Sequence, residues 1–214
     1  MNLAKCPLCN DTQIIHFQRD KKRDYWRCAT CHLVFVNIDQ QIDLEAEKAI
    51  YDLHQNQSND LGYRQFLSRL AEPLLAQLTA PKHGLDFGCG PGPVLAEMLS
   101  EAGHTMTVFD LFYANHPERL DSVYDFITCT EVVEHFRNPQ REFQLLFSLL
   151  KPQGHLAIMT KLVIDAEAFS RWHYKNDQTH ISFFSRETLQ WLAEHYQAEL
   201  SFFANDVAIF KLLD

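Results

Sequence analysis

Ten residues, Gly84-Leu85-Asp86-Phe87-Gly88-Cys89-Gly90-Pro91-Gly92-Pro93, constrain this chain more than any other stretch. An apolar run ends in an acid, and three glycines follow at alternate positions. An amphipathic segment carrying Val94, Leu95, Met98 and Leu99 begins at once and closes at Gly103. The order is strand, tight turn, helix. Glycine there lets the backbone take conformations, and approach a ligand, that any Cβ would forbid, as a nucleotide-like group at the carboxyl end of a strand requires. The spacing lacks the third glycine of G-x-G-x-x-G. Pro91 and Pro93 also remove amide donors that a pyrophosphate cradle would use, so the loop suits a ligand without phosphates.

The 214 residues make room for one medium domain with an ample core and a small attachment. The formal net charge is −9, unevenly spread. Within residues 1–35 the bases Lys5, Arg19, Lys21, Lys22, Arg23 and Arg27 outnumber the acids Asp11, Asp20 and Asp24, which leaves the remainder strongly acidic. Such a body repels a phosphate backbone and argues against nucleic acid as a partner. No apolar run approaches bilayer length, and Met1-Asn2-Leu3-Ala4-Lys5 leads to a cysteine pair without an apolar leader. The expectation is a cytoplasmic protein, with no membrane association, whose six cysteines are reduced or metal-bound.

Cys6-Pro7-Leu8-Cys9 and Cys28-Ala29-Thr30-Cys31 have the spacing of two zinc knuckles. Between them, Gln13–Phe17 and Asp24–Arg27 read as strands flanking the polar turn Arg19–Arg23, and Leu33–Val36 as a third strand. Residues 1–37 are therefore expected to form a zinc ribbon in which Cys6, Cys9, Cys28 and Cys31 close a structural site. A redox dithiol is the rival reading, but it needs one such pair where two are present. His32 is expected to be a bystander. Residues 38–60 read as a polar linker with a helical turn around Leu44–Leu53; Tyr51, His54, Asn56, Tyr63 and Arg64 could instead serve a lid.

Residues 61–214 hold the larger domain. Tyr63, Phe66, Leu67, Leu70, Leu74, Leu75 and Leu78 recur at helical spacing, predicting a helix over Leu61–Thr79, kinked or split at Pro73. Strands are expected at about Gly84–Phe87, Thr105–Asp110, Phe126–Cys129, Gly154–Thr160, Glu199–Phe203 and Val207–Leu212. Asn138 and Pro139 start one helix and Ser185 caps another.

Four segments, in order, resemble the motifs of class I S-adenosylmethionine-dependent methyltransferases. They are Leu85–Gly92, Val108-Phe109-Asp110, the run Tyr124–His135 and the turn Leu150–Leu156. The resemblance implies an α/β fold, a doubly wound Rossmann-like sheet with helices on both faces, and S-adenosylmethionine as cofactor. It places Asp86 beside the glycine loop (Gly88, Gly90, Gly92) and the cofactor's ammonium, Asp110 on the ribose hydroxyls, Leu111 and Phe112 beside the adenine, and Thr130 and Glu131 at the pocket's edge. Asp110 and Tyr124 lie only fourteen positions apart, too few for the family's usual helix, third strand and helix. That strand is expected to be short or absent, which leaves the adenine contact it usually supplies unassigned, with backbone near Leu120–Ser122 as one candidate.

The same resemblance makes His135 a candidate base. Asp177-Gln178-Thr179-His180 is similar to the Asp-x-x-His of ubiquinone-type O-methyltransferases, which adds His180. Asp177 and His180 could equally stitch the loop by hydrogen bonds. Trp172, His173 and Tyr174 are expected to face the acceptor. No Asn-Pro-Pro-Tyr follows the strand Phe126–Cys129, which argues against methylation of an exocyclic base amine, and Cys129 reads as a pocket-lining thiol rather than a nucleophile. The expected activity is methyl transfer to a small molecule, at oxygen. The alternatives are an RNA or protein methyltransferase that docks through its basic ribbon, and a non-catalytic S-adenosylmethionine sensor. Oligomeric state is not legible.

Overall fold

The structure, a computed structural model, describes residues 5–53 and 60–213. Its larger sheet has six strands. These are β4 (His83–Phe87), β5 (Thr105–Phe109), β6 (Tyr124–Thr130), β7 (Leu150–Met159), β9 (Ala198–Phe203) and β10 (Val207–Leu212), in the order β5-β4-β6-β7-β10-β9. The pairs β4–β5, β4–β6 and β6–β7 are parallel, whereas β10 runs antiparallel to both β7 and β9.

Side chains alternate across this sheet. Phe126, Ala157, Met159, Val207 and Ile209 meet α2 (Leu61–Leu75) and α3 (Val94–Glu101) on one face. Ile127, Leu156, Ile158, Ala208 and Phe210 meet α4 (Pro139–Ser148) and α6 (Arg186–His195) on the other. Strands whose two faces are both buried read as nearly continuous apolar runs, as Phe126–Cys129 and Leu156–Met159 do.

The second sheet has four strands in the order β1-β2-β3-β8: β1 (Ile14–Arg19), β2 (Asp24–Cys28), β3 (Val34–Val36) and β8 (Ser182–Phe183). The first three are the expected ribbon strands. The fourth comes from far along the chain, pairing Val34 with Phe183 and Phe35 with Ser182. The cysteine end of the ribbon packs on the α4 face of the larger sheet, with Cys6, Cys28, Cys31 and Leu33 sharing its core and the Gln140 amide donating to the Pro7 carbonyl at 3.2 Å.

Pro73 leaves α2 unbroken. It sits in the last turn, where only one intrahelical bond is lost, and the helix ends at Leu75 instead of Thr79. Between β5 and β6 the described residues form a 3-10 turn, Pro117–Asp121, and no strand. The edge this leaves on β5 is covered by Arg119, whose guanidinium donates to the Val108 carbonyl at 2.6 Å. The segment 38–53 contains α1 (Leu44–Tyr51), capped by Asp43. His54 and Asn56, two of the candidate lid residues, lie outside the described residues.

Candidate functional site

The carboxyl ends of β4, β5 and β6 converge on the glycine turn. Gly88 and Gly90 adopt left-handed backbone, with φ of 78° and 64°. A Cβ on Gly88 would stand 2.4 Å from the Val132 side chain, so that position tolerates nothing larger. A Cβ on Gly90 would meet nothing within 4 Å, which leaves open space beside the loop. Gly92 closes the turn, its carbonyl accepting from the Val94 amide at 2.8 Å.

Asp86 and Asp110 flank that turn, both buried. Thr128 donates its hydroxyl to Asp86 at 2.7 Å, yet burial, with Asp110 adding to it, pushes the Asp86 carboxyl up to about 6. Asp110 accepts from the amides of Gly90 (3.0 Å), Phe112 (2.8 Å) and Tyr113 (3.1 Å), tying the end of β5 to the glycine loop. Leu111 is exposed beyond it. At the end of β6 the Thr130 hydroxyl is buried with no hydrogen-bond partner among the described residues, a group that a bound ligand would satisfy. Two carboxylates, open space at a positive-φ glycine and an orphan hydroxyl suit an ammonium- and hydroxyl-bearing ligand.

Next along the edge is an acidic cluster. Glu131 takes left-handed backbone (φ 53°), and its amide donates to the Met159 carbonyl at 2.8 Å. Glu134 is fully buried. Tyr174 donates to it at short range, and Thr160 donates at 2.9 Å. Burial, then repulsion from Glu134, pushes the Glu131 carboxyl up to about 8; burial raises Glu134 as well. The pair therefore retains a proton near neutral pH.

Two histidines close this cluster. His135 directs Nδ1 at the Thr179 carbonyl (3.1 Å), and His180 directs Nδ1 at the Tyr174 carbonyl (2.7 Å). A carbonyl only accepts, so each Nδ1 carries the proton and Nε2 is the basic nitrogen of the neutral ring. The rings lie 4.8 Å apart, and their ligating nitrogens and a Glu134 oxygen fall within 4.8 Å of one another. Burial holds His180 below its usual value, so it is neutral at pH 7; Glu134 and Asp177, the latter 3.9 Å from Nε2, face any charge it acquires.

The structure brings Asp86, Gly88, Gly90, Asp110, Thr130, Glu131, His135, Tyr174 and His180 to one edge. It does not bring His173 there: that side chain is exposed, 3.3 Å from the Lys161 ammonium. Trp172 packs against Phe169, Phe183 and Tyr174 toward the ribbon. One participant, Glu134, escaped the sequence reading, although it carries a signal, an acid three residues after Glu131. Tyr51, one of the candidate lid residues, meets His135 ring to ring at 5.2 Å.

At the other end of the ribbon, Cys6, Cys9, Cys28 and Cys31 place their sulfurs within 4.8 Å of one another, at 3.5 Å for Cys6–Cys31 and 3.4 Å for Cys9–Cys28. A tetrahedral zinc with sulfurs at ~2.3 Å needs them roughly 3.8 Å apart, so the thiolates fit such an ion. Each knuckle ends in a left-handed residue, Asn10 or His32, both with φ 61°. His32 contacts Arg27 at 3.2 Å and is not among the clustered ligands.

Residues 56–201 match the family model described as "Methyltransferase domain". Among curated proteins, the chain is 30% identical over 142 residues to a ubiquinone biosynthesis O-methyltransferase of Pectobacterium atrosepticum, covering 55% of this chain and 54% of that protein. It is 31% identical over 150 residues to the Coxiella burnetii protein of the same name, covering 57% and 64%. The chain thus spans little more than half the length of these relatives. Among solved structures it resembles Burkholderia thailandensis 1,6-didemethyltoxoflavin-N1-methyltransferase, determined with 1,6-didemethyltoxoflavin and S-adenosylhomocysteine. The TM-score is 0.55 at 16% identity, over 85% of this chain and 96% of that one.

Proposed function

Because this chain belongs to the methyltransferase-domain family, we propose that it moves a methyl group from S-adenosylmethionine to oxygen on a small, hydroxyl-bearing acceptor. The observation that carries the choice of oxygen is the orientation of His180. Its Nδ1 proton is committed to the Tyr174 carbonyl, its basic Nε2 lies 3.9 Å from the Asp177 carboxylate, and the ring places a nitrogen within 4.8 Å of a Glu134 oxygen just past the end of β6. The curated relatives, named as O-methyltransferases, support the same acceptor atom.

In this reading residues 61–214 are the catalytic domain, residues 38–60 a connecting lid and residues 1–37 a structural zinc ribbon. Asp86, Gly88, Gly90, Gly92, Asp110, Leu111, Thr130 and Glu131 line the cofactor site. Asp110 exchanges part of its amide bonding for the ribose hydroxyls, and Asp86 meets the amino group. When bound, the cofactor would supply an electrophilic methyl on a sulfonium, with S-adenosylhomocysteine as the leaving group of an in-line displacement. The chain's own part is alignment and proton removal. His180 Nε2 accepts the acceptor's hydroxyl proton as the new C–O bond forms, and Glu134 and Asp177 balance the imidazolium. His135 and Tyr174 fix the geometry around it.

The reading is tested by incubating the protein with methyl-labelled S-adenosylmethionine and a panel of phenols, catechols and their amine counterparts. Label transfer to phenolic oxygen, with none to the amines, is expected. Transfer to the amines alone, or no transfer from a protein that binds the cofactor, contradicts it.

A further inference from the structure

The ribbon turn 20–23 lies at the far end of the β1–β2 hairpin from Cys28, and Arg23 at its end is buried. Its guanidinium lies 5.4 Å from the centroid of the Tyr25 ring and sends its Nη hydrogen bonds to one loop. Nη1 donates to the carbonyls of Gln178 (3.2 Å) and His180 (3.0 Å), while Nη2 donates to those of Asp177 (3.0 Å) and, at short range, Lys175. All four partners are carbonyl oxygens. Burying a cation against neutral acceptors alone is an expensive way to add stability, and the rigid donor fork fixes direction as well as distance.

The same turn is itself braced. Asp20 accepts from the Lys22 and Arg23 amides at 2.7 and 2.8 Å and from the Tyr25 hydroxyl at 2.6 Å. Tyr25 also lies 3.3 Å from the Lys175 carbonyl. Downstream, the Val36 amide donates to the Ile181 carbonyl at 2.9 Å, just before β8 joins the ribbon sheet. Both flanks of His180 are therefore held by ribbon residues, and its ring is held by the loop's own Tyr174 carbonyl.

We propose that Arg23 is a positioning residue: the ribbon, through its guanidinium, sets the loop 174–181 so that His180 presents Nε2 to the acceptor. The inference rests on the role given to His180 above. It assigns the ribbon to the acceptor half of the site and leaves the cofactor half independent of it.

The test uses Arg23→Gln and Arg23→Lys in the full chain, with three readouts: hydrogen exchange by mass spectrometry, nitrogen-15 NMR of the His180 tautomer, and calorimetry with S-adenosylhomocysteine. Amides of 175–181 should exchange at least tenfold faster in both variants, and His180 should pass from Nδ1–H to a tautomer mixture. Amides of 84–90 and 105–113 should be unchanged, with S-adenosylhomocysteine affinity within threefold of wild type. Lysine should not rescue, because one ammonium cannot span four carbonyls. Unchanged loop exchange and tautomer, or acceleration shared equally by both sheets, overturns the proposal. Should neither variant fold, Tyr25→Phe must still speed exchange at 174–178, and its failure to do so overturns the proposal equally. Absence of S-adenosylhomocysteine binding by the wild type would strike the functional reading while leaving the loop result to be read separately.

Discussion

At the scale of single residues, the chemistry is set by burial acting on charge. Asp86 titrates near 6 in the ligand-free protein because it is buried beside Asp110. A ligand ammonium favours the ionised form, so binding releases a proton below that value. Calorimetry should show S-adenosylhomocysteine affinity rising between about pH 5 and about pH 6 and levelling above, by up to ~10-fold per unit for one linked proton. In Asp86→Asn the dependence should vanish. For His180, burial disfavours the protonated ring. Its value lies below 6.5, so the neutral base persists to that point and is lost as pH falls further. The acid limb of kcat/KM should therefore lie below pH 6.5, and His180→Gln should abolish it while lowering kcat by about 10²–10⁴-fold, the usual contribution of a general base. Retention of both limb and rate in His180→Gln would move the proton to another acceptor.

Among the elements, the strand-turn-helix β4–α3 does most to shape the site, and its two left-handed glycines differ. Gly88→Ala brings a Cβ to 2.4 Å from Val132 as well as paying for a positive φ. Such a change should cost roughly 2–4 kcal/mol by urea denaturation, the strain and the overpacking together. Gly90→Ala, with nothing within 4 Å, should cost only ~1–2 kcal/mol; equal losses would mean the turn relaxes. These elements were legible because their causes are local. The glycine spacing and following amphipathic run marked β4 and α3, Ser185 formed the capping box with Thr188 at the start of α6, and the short interval after Asp110 revealed that β5 ends the sheet. Pro73 misled twice: the expected break is absent, since a proline in the last turn costs only one bond, and the helix stops at Leu75 instead of Thr79. What stayed hidden is non-local: β8 is two residues long, too short for any periodicity, and Arg23 meets partners 152 to 157 positions away.

For the whole molecule, the consequence is that a ribbon legible as a separate module shares a sheet with the domain that follows and braces one side of its site. Among the described residues no helix is long and apolar enough to cross a membrane. Metal analysis should find one zinc per chain. Chelation should release four thiols and accelerate exchange through β1–β3 and β8, while the parallel strands β4–β6 hold, because structural zinc contributes folding energy where its ligands lie. Uniform loss of both sheets would show that the two cannot be separated energetically. The proposed chemistry depends first on the cofactor site, which calorimetric titration of S-adenosylhomocysteine into the wild type and Asp110→Ala probes most directly. Micromolar-range binding to the wild type is expected, weakened by about 10–100-fold in a still-folded variant, as loss of hydrogen bonds to a charged group implies. No binding to a folded wild type, or equal binding to both proteins, would contradict it.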